Sequence, residues 1–374
     1  MGDIRVGSVL GFEIRIDFSW FILFFLILWT FTMVVFPAMQ PGMGVGIYAA
    51  MGASATLLFF ASLLAHELSH SVVARRRGVE VEGITLFIFG GMARTRMEAE
   101  EAGDEFVIAG VGPLSSLIIG ALFGLVWWGG TRLGWSPAIT GVAQYLAYLN
   151  VLLAVFNLLP GFPLDGGRLF RSIAWKLTGD LTRATRMAST GGRWLGYLII
   201  ALGVWSLFIG NFVGGIWLVL IGWFLRNAAL ASYHQHVLRG MLDRVRASDA
   251  MTRNPETVHP DITIQQLMDD YFMRRRYAAY PVIEDGDHPV GMVTLQQVKA
   301  VPREEWPTRV VADVMTPSGE DLVVAVDERL STVLEKLGAT PTRRLLVSEN
   351  GHLAGIITAS DLSAWLDRAR QLEE

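Results

Sequence analysis

Six long apolar segments constrain the fold of this chain more than any other feature of its sequence. Each approaches the roughly 20 residues that a helix needs to cross a bilayer, and 52% of the 374 residues are hydrophobic. Lipid offers no partner for backbone N–H and C=O groups, so such segments must form helices that satisfy those groups internally. We therefore predict a polytopic α-helical membrane domain over residues 1–240, with spans at about residues 18–37, 47–70, 105–129, 138–159, 194–212 and 213–232.

The basic residues between these segments predict how the chain is oriented in the membrane. The loops after the second and fourth segments contain Arg75, Arg76, Arg77, Arg94 and Arg96, and Arg168, Arg171, Lys176, Arg183 and Arg186. The loop after the first segment contains no Lys or Arg. Because cytoplasmic loops carry the excess of positive charge, we expect both termini to lie in the cytoplasm and the protein to reside in a prokaryotic cell membrane. The net charge is −4 and no basic nucleic-acid surface is indicated, so no nucleic-acid partner is predicted.

The sequence His66-Glu67-Leu68-Ser69-His70 places ionisable groups at the end of the apolar run 47–65. Such groups are costly at membrane depth unless they face a protein interior or water. On a helix, residues four apart share one face, so both imidazoles could reach one Zn²⁺ while Glu67 contacts the attacking water. The chain has no cysteine, which excludes thiolate ligands. The alternative is a buried histidine pair without a metal ion.

Two histidines need a third protein ligand to form a catalytic zinc site, and Asp165 is the candidate. Pro160 and Pro163 precede it and should break the fourth span, while Gly166 and Gly167 give the backbone freedom beside it. The alternative is that Asp165 caps a helix predicted over residues 166–178.

Residues 79–97 have the composition of β-strands broken at Gly90-Gly91. Their apolar centre predicts a membrane-associated hairpin, which is tolerated only beside protein or water. An edge of this hairpin could hold an extended substrate by strand addition, with Phe89, Gly90 and Gly91 as substrate-binding residues. The alternative is a hairpin with a purely structural role.

Together these motifs resemble the site-2 protease family of intramembrane zinc metalloproteases. The resemblance covers most of residues 1–230 and is carried by His66 to His70, Gly90-Gly91, Gly112-Pro113-Leu114, Asn157-Leu158-Leu159-Pro160 and Leu164-Asp165-Gly166-Gly167. It implies zinc on His66, His70 and Asp165, with Glu67 as the general base. It also implies that Asn157 lies near the oxyanion or the substrate. The chain departs from the family pattern at Ser116, where the family usually has Asn, and this departure puts any polar role of that position in doubt.

After about residue 245 the pattern changes to that of a soluble α/β protein with an internal repeat. Asp249-Ala250-Met251-Thr252 recurs as Asp313-Val314-Met315-Thr316, and Gly291-Met292-Val293-Thr294 recurs at the same distance as Gly355-Ile356-Ile357-Thr358. Matched spacing of this kind indicates a duplicated unit.

Residues 246–302 and 310–368 resemble a tandem pair of cystathionine-β-synthase-type (CBS) domains. The resemblance implies a regulatory adenine nucleotide (AMP, ADP or ATP), with Thr358 near phosphate and Asp361 on the ribose hydroxyls, and a homodimer formed through the CBS pairs. In the first repeat Gln297 replaces this Asp, so that cleft is less suited to the ligand. The alternative is a dimerisation module without a ligand.

The sequence thus predicts an intramembrane zinc metalloendopeptidase that cleaves in or near the transmembrane segments of single-span membrane proteins under nucleotide control. A transmembrane helix has no free backbone groups, so its substrate must unwind locally before cleavage. Two alternatives are a CBS-regulated metal-ion transporter and a catalytically silent membrane receptor. The intact Glu67 between two potential ligands argues against both.

Overall fold

The computed structural model describes residues 3–88, 90–95, 101–275, 277–284, 287–340 and 342–373. These residues form two compact units, Met1–His236 and Val237–Glu374. The first unit contains the membrane spans, and the second contains the repeated α/β segment.

Within the described residues, six helices are long and apolar enough to cross a membrane, which confirms the predicted helical membrane fold. The first span, Phe18–Met39, comprises α1 (Phe18–Thr30), a π-helical turn (Phe31–Val35) and α2 (Phe36–Met39). The others are α3 (Val45–Arg76), α4 (Ala102–Arg132), α5 (Pro137–Asn157), α7 (Leu181–Phe208) and α8 (Phe212–Leu242). The shorter, amphipathic α6 spans Asp165–Thr178.

Helix α3 is longer than the bilayer core requires. Its 32 residues extend for roughly 48 Å at 1.5 Å per residue, whereas the hydrocarbon layer is about 30 Å thick. Helix α3 is therefore long enough to extend beyond the hydrocarbon layer, and His66 and His70 lie near its C-terminal end. Helix α5 ends at Asn157, three residues before Pro160, as the predicted break in the fourth span requires.

A four-stranded sheet packs against α3, with strand order β1-β2-β3-β4. The strands are β1 (Asp3–Val9), β2 (Phe12–Asp17), β3 (Val81–Phe87) and β4 (Gly90–Thr95). Strands β2 and β3 are parallel, and the other neighbouring pairs are antiparallel. The predicted hairpin is thus β3 and β4, although Phe89 lies outside the described residues. The β1–β2 hairpin that completes the sheet was not predicted.

The sheet is attached to the helices by an apolar cluster. Ile14, Ile84 and Leu86 are buried, and Leu64 and Leu68 of α3 pack on them. Because Leu64 and Leu68 flank the His66-Glu67 pair, this packing places the sheet beside the ionisable residues of α3.

The second unit is built from two sheets, with strand orders β5-β11-β10-β9 and β6-β7-β8. Its strands are β5 (Thr252–Arg253), β6 (Ala279–Glu284), β7 (His288–Thr294), β8 (Thr316–Pro317), β9 (Val323–Ala325), β10 (Arg344–Glu349) and β11 (His352–Thr358). Its helices are α9 (Ala247–Ala250), α10 (Ile264–Gln266), α11 (Leu295–Lys299), α12 (Leu330–Ala339) and α13 (Ala359–Glu373).

The two repeats exchange their short first strands. Strand β5 of the first repeat pairs with β11 of the second, where Thr252 lies opposite Ile356. Strand β8 of the second repeat pairs with β7 of the first, where Thr316 lies opposite Met292. Each sheet therefore contains a strand of the other repeat, and the two repeats form one compact α/β unit.

Candidate metal and catalytic centre

Helix α3 brings His66 and His70 together on one buried face. Their rings are one helical turn apart, 2% and 6% exposed, and their Nε2 atoms are 3.2 Å apart. This arrangement is the one that the four-residue spacing predicts.

Asp165, the first residue of α6, completes a group of three candidate ligands. Its Oδ2 lies 3.1 Å from Nε2 of His66 and 3.2 Å from Nε2 of His70. No side-chain cap is present at the start of α6, so the geometry favours the ligand interpretation of Asp165 over the capping one. Burial by itself would raise the pKa of Asp165, but the two histidines outweigh it and hold that pKa well below its usual range.

Glycines allow the chain to bring Asp165 to this position. A Cβ on Gly166 would lie 2.3 Å from the carbonyl carbon of Leu158, and a Cβ on Gly167 would lie 2.3 Å from that of Gly161. The loop between α5 and α6 therefore passes directly over the first turn of α6. Larger residues at either position would push the carboxylate away from the histidines.

The geometry and hydrogen bonding of the three ligand atoms fit a zinc ion. Ligand atoms about 2.0 Å from a tetrahedral zinc lie about 3.3 Å apart, which is close to the observed separations. Nδ1 of His70 is 2.6 Å from the carbonyl oxygen of Ile108, and a carbonyl oxygen can only accept a hydrogen bond. In the neutral ring, Nε2 of His70 then has only a lone pair facing the Asp165 carboxylate, so either a second proton on this ring or a metal ion must lie between the two atoms.

Glu67 lies on the same helix, beside the sheet. A Cβ on Gly91 of β4 would lie 2.4 Å from Cγ and 2.7 Å from Cδ of Glu67, so the β4 backbone covers this side chain. Across the described residues, no hydrogen bond or ion pair engages the Glu67 carboxylate, which is therefore free to accept a proton. Gly90, the preceding residue, has a φ of +135°, a conformation that favours glycine.

The structure does not join Asn157 to the three ligands. It is the last residue of α5 and half-buried, and its side chain makes no hydrogen bond within the part of the chain that is described. The role that the family resemblance implies for Asn157 therefore stays a prediction.

In the second unit, the two predicted nucleotide-binding residues bond to each other. Oδ2 of Asp361 accepts from the backbone N–H of Thr358 at 2.8 Å and from its hydroxyl at 2.6 Å. Oδ1 accepts from the hydroxyl of Thr252 at 3.1 Å. Thr252 was not singled out as a site residue, although its place in the repeated Asp-x-Met-Thr motif could have identified it.

The first repeat has the same arrangement with an amide in place of the carboxylate. Oε1 of Gln297 accepts from the backbone and hydroxyl of Thr294 at 2.8 and 2.9 Å, and its Nε2 donates to the hydroxyl of Thr316 at 2.8 Å. The two repeats therefore share this hydrogen-bonding pattern and differ in the charge of the side chain that accepts the bonds.

The fold and the centre define a membrane metalloprotease with a CBS pair, and comparison with known proteins agrees. The model of Peptidase family M50 matches residues 54–131 and 134–201, and the CBS domain model matches residues 247–303 and 311–368. Rip3 of Mycobacterium tuberculosis is 37% identical over 368 residues, which cover 97% of this chain and 93% of Rip3. A zinc metalloprotease of Methanocaldococcus jannaschii is 30% identical over 362 residues, which cover 96% of this chain and 95% of that protein. The solved site-2 protease from Methanocaldococcus jannaschii is 27% identical, with a TM-score of 0.44, over 62% of this chain and 95% of that one.

The chain belongs to peptidase family M50, the site-2 proteases, and carries a tandem CBS pair. It is an integral membrane zinc metalloprotease. The family models and the two full-length relatives confirm the enzyme class, the family and the metal that the sequence predicts.

Proposed function

We propose that His66, His70 and Asp165 bind one zinc ion and that Glu67 is the general base for hydrolysis of peptide bonds in or near transmembrane segments. The observation that carries this proposal is the convergence of three ligand atoms within 3.2 Å of one another. Glu67 lies on the same helix with its carboxylate free of hydrogen bonds in the described residues.

The residues divide the chemistry between them. A zinc ion held by His66, His70 and Asp165 would act as a Lewis acid, which would lower the pKa of a water molecule and polarise the scissile carbonyl. Glu67 accepts the proton of the attacking water and transfers it to the leaving amine. Asn157 stays a candidate for a contact to the oxyanion or the substrate.

The outer edge of β4 is the place where we propose that the substrate binds. Strand β4 is at one end of the sheet, so its outer edge has no neighbouring strand among the described residues. An unwound segment of a single-span membrane protein could add to this edge and would then pass beside Gly91, whose backbone covers Glu67. We propose that Gly90 and Gly91, together with the predicted Phe89, bind the substrate through the backbone.

Co-expression with candidate single-span proteins tests the catalytic assignment. We expect the wild-type chain to release products and Glu67→Gln to release none while both retain zinc. A control variant, Ser69→Ala, removes a hydroxyl that bonds only locally to the carbonyl of Ala65 at 2.8 Å and should cleave normally. Equal cleavage by wild type and Glu67→Gln contradicts the role of Glu67. Zinc flux into vesicles without cleavage favours the transporter alternative, and unaltered substrate binding without product in either form favours the receptor alternative.

We further propose that adenine nucleotide binds the second CBS repeat at Thr358 and Asp361 and changes the cleavage rate. The first repeat has the Gln297 amide at the equivalent position. Of the two repeats, the second therefore has the carboxylate, which can accept hydrogen bonds from both ribose hydroxyls. The loop charges support cytoplasmic termini, which would expose this cleft to cellular nucleotide. We also propose that the protein is a homodimer through its CBS pairs.

Titration of the full chain with AMP, ADP and ATP tests the regulatory part. A nucleotide changes the rate only if it binds the active and inactive states unequally. We expect binding of at least one nucleotide and a change in cleavage rate that is absent in a chain lacking residues 241–374. No binding of any of the three nucleotides contradicts the proposal and leaves the module as a dimerisation element.

A further inference from the structure

One face of α4 contacts His66 and His70 directly and contacts α6, the helix that begins with Asp165. It supplies no candidate ligand itself. This α4 face consists of Glu105, Ile108, Gly112 and Ser116, which are spaced three or four residues apart and share one side of the helix. All four are buried.

The N-terminal half of the α4 face contacts α6 and His70. Oε1 of Glu105 accepts from Nε of Arg171 at 2.7 Å, and Arg171 belongs to the helix that begins with Asp165. The carbonyl oxygen of Ile108 accepts from Nδ1 of His70 at 2.6 Å. This second contact fixes the proton of His70 on Nδ1 and leaves Nε2 free as a ligand.

The other half of the α4 face contacts His66. A Cβ on Gly112 would lie 2.0 Å from Nε2 of His70 and 2.8 Å from Nε2 of His66, so glycine is needed there to admit both rings. One turn further on, the hydroxyl oxygen of Ser116 lies 2.9 Å from Nδ1 of His66, and Ser116 has no exposed surface.

We propose that Ser116 is a positioning residue of the zinc site, which accepts the Nδ1–H of His66 and so directs its Nε2 lone pair to the metal. This inference rests on the proposed zinc ligands. A hydroxyl can donate or accept, so Ser116 by itself permits either tautomer of His66. Coordination through Nε2 requires the proton on Nδ1, and this buried N–H then needs the acceptor that Ser116 provides. Ser116 thereby has the part for His66 that the Ile108 carbonyl has for His70.

Ser116 therefore keeps a polar role at this position, although it departs from the family pattern. Asn, which the family usually has there, and Ser both offer a side-chain oxygen as acceptor. The hydroxyl of Ser116 reaches the ring nitrogen from a helix that is close enough to require Gly112 one turn away.

Zinc affinity of the purified full chain, measured by competition with a chromophoric chelator, tests this proposal. Loss of an outer hydrogen-bond partner of a metal-bound histidine weakens metal binding about 10- to 100-fold. We expect that loss for Ser116→Ala. Ser115→Ala is the matched control, because its hydroxyl donates only to the local carbonyl of Gly112 at 2.7 Å and its removal should leave zinc affinity unchanged.

Ser116→Thr separates the hydroxyl from packing. It retains the acceptor and adds a methyl group, so we expect it to restore zinc affinity to within a few-fold of wild type. Wild-type affinity in Ser116→Ala overturns the proposal, and so does an equal loss in Ser116→Ala and Ser116→Thr, because packing would then be the cause. If the wild-type chain itself binds no zinc, the proposed function fails together with this inference. The two outcomes above differ from that result, because in them the wild-type chain binds zinc and only the role of Ser116 fails.

Discussion

The two units use their candidate site carboxylates in opposite ways. In the membrane unit, Asp165 faces two histidines whose shared centre calls for a cation. In the CBS unit, Asp361 already accepts hydrogen bonds from Thr358 and Thr252 on both oxygens. The Asp165 carboxylate faces two ring nitrogens that could bind a metal ion together with it, whereas the Asp361 carboxylate accepts hydrogen bonds from hydroxyl and backbone donors of the protein. A metal should therefore matter to the membrane site as an integral component, and a nucleotide should act on the CBS site as an exchangeable ligand that competes with internal bonds.

Gly112→Ala should have the largest effect, because its added methyl group would occupy the space that the rings of His66 and His70 fill in the membrane site. The added Cβ would lie 2.0 Å from Nε2 of His70, so one ring must leave its ligand position. We expect zinc binding to fall by more than about 100-fold and cleavage to be lost. Gly110→Ala is the matched control on the same helix, since its Cβ would meet only a leucine methyl of Leu169 at 3.8 Å. Zinc content and product release measure both, and a zinc-loaded, active Gly112→Ala contradicts the account.

Glu105→Gln should cost the membrane unit much of its stability. Glu105 is 1% exposed and pairs with Arg171, which is 7% exposed. Neutralising one partner of a buried ion pair costs up to about 3–5 kcal/mol, because the attraction between the two buried charges is lost.

The neighbouring Asp104→Asn provides the control for that change. Asp104 pairs with Arg77 at 2.5 Å with both side chains partly exposed, and such pairs contribute about 0–1 kcal/mol. Unfolding midpoints in detergent should therefore fall far more for Glu105→Gln than for Asp104→Asn. Equal midpoints would show that the Glu105–Arg171 pair does not hold α6 in place.

Gly91→Ala should separate catalysis from metal binding. Its Cβ would lie 2.4 Å from Cγ of Glu67 and must displace either this proposed general base or β4, whereas the proposed zinc ligands are untouched. A misplaced catalytic group can cost about 100-fold in rate, so we expect that loss of cleavage with zinc retained. Gly7→Ala, in the same sheet with no neighbour within 4 Å of the added Cβ, should cleave normally. Full activity in Gly91→Ala would separate β4 from the reaction.

Asp361→Asn should have the smallest effect on the protein itself. Gln297 shows that an amide can accept the same two bonds in the first repeat, so we expect the free energy of unfolding to change by less than about 1 kcal/mol. Nucleotide affinity should fall about tenfold, because a charge-assisted bond to a ribose hydroxyl is lost. Asp367→Asn on the exposed face of α13 is the control, and calorimetric titration measures both. Unchanged affinity in Asp361→Asn would remove this residue from the proposed nucleotide site.

Features that depend on local spacing could be predicted from the sequence. Segment length predicted the membrane helices, and a spacing of four predicted the shared face of His66 and His70. The repeated motifs predicted a pair of α/β units, and this prediction is confirmed. The pairing of β5 with β11 and of β8 with β7, which joins the two repeats, was not predicted.

Features that depend on contacts distant in sequence could not be predicted in the same way. Strand β2 pairs in parallel with β3. The residues of β1 are exposed throughout, so their burial pattern gives no indication that β1 and β2 join this sheet. The close approach of Gly91 to Glu67 and of Gly112 to the histidines joins separate elements, and a glycine in a sequence does not say what lies beside it. Asp165 was predictable as a candidate ligand, but only the position of α6 relative to the histidines favours a ligand role over a helix-capping role.

The coordination of zinc in the purified chain tests the central claim most directly. Metal analysis of the wild-type protein should find one zinc per chain, and its X-ray absorption should show two imidazole ligands among light-atom neighbours, whereas Asp165→Ala should bind zinc far more weakly. A wild-type chain without zinc, a zinc with fewer than two imidazoles, or an affinity unaffected by Asp165→Ala would contradict the assignment of His66, His70 and Asp165 as the metal centre.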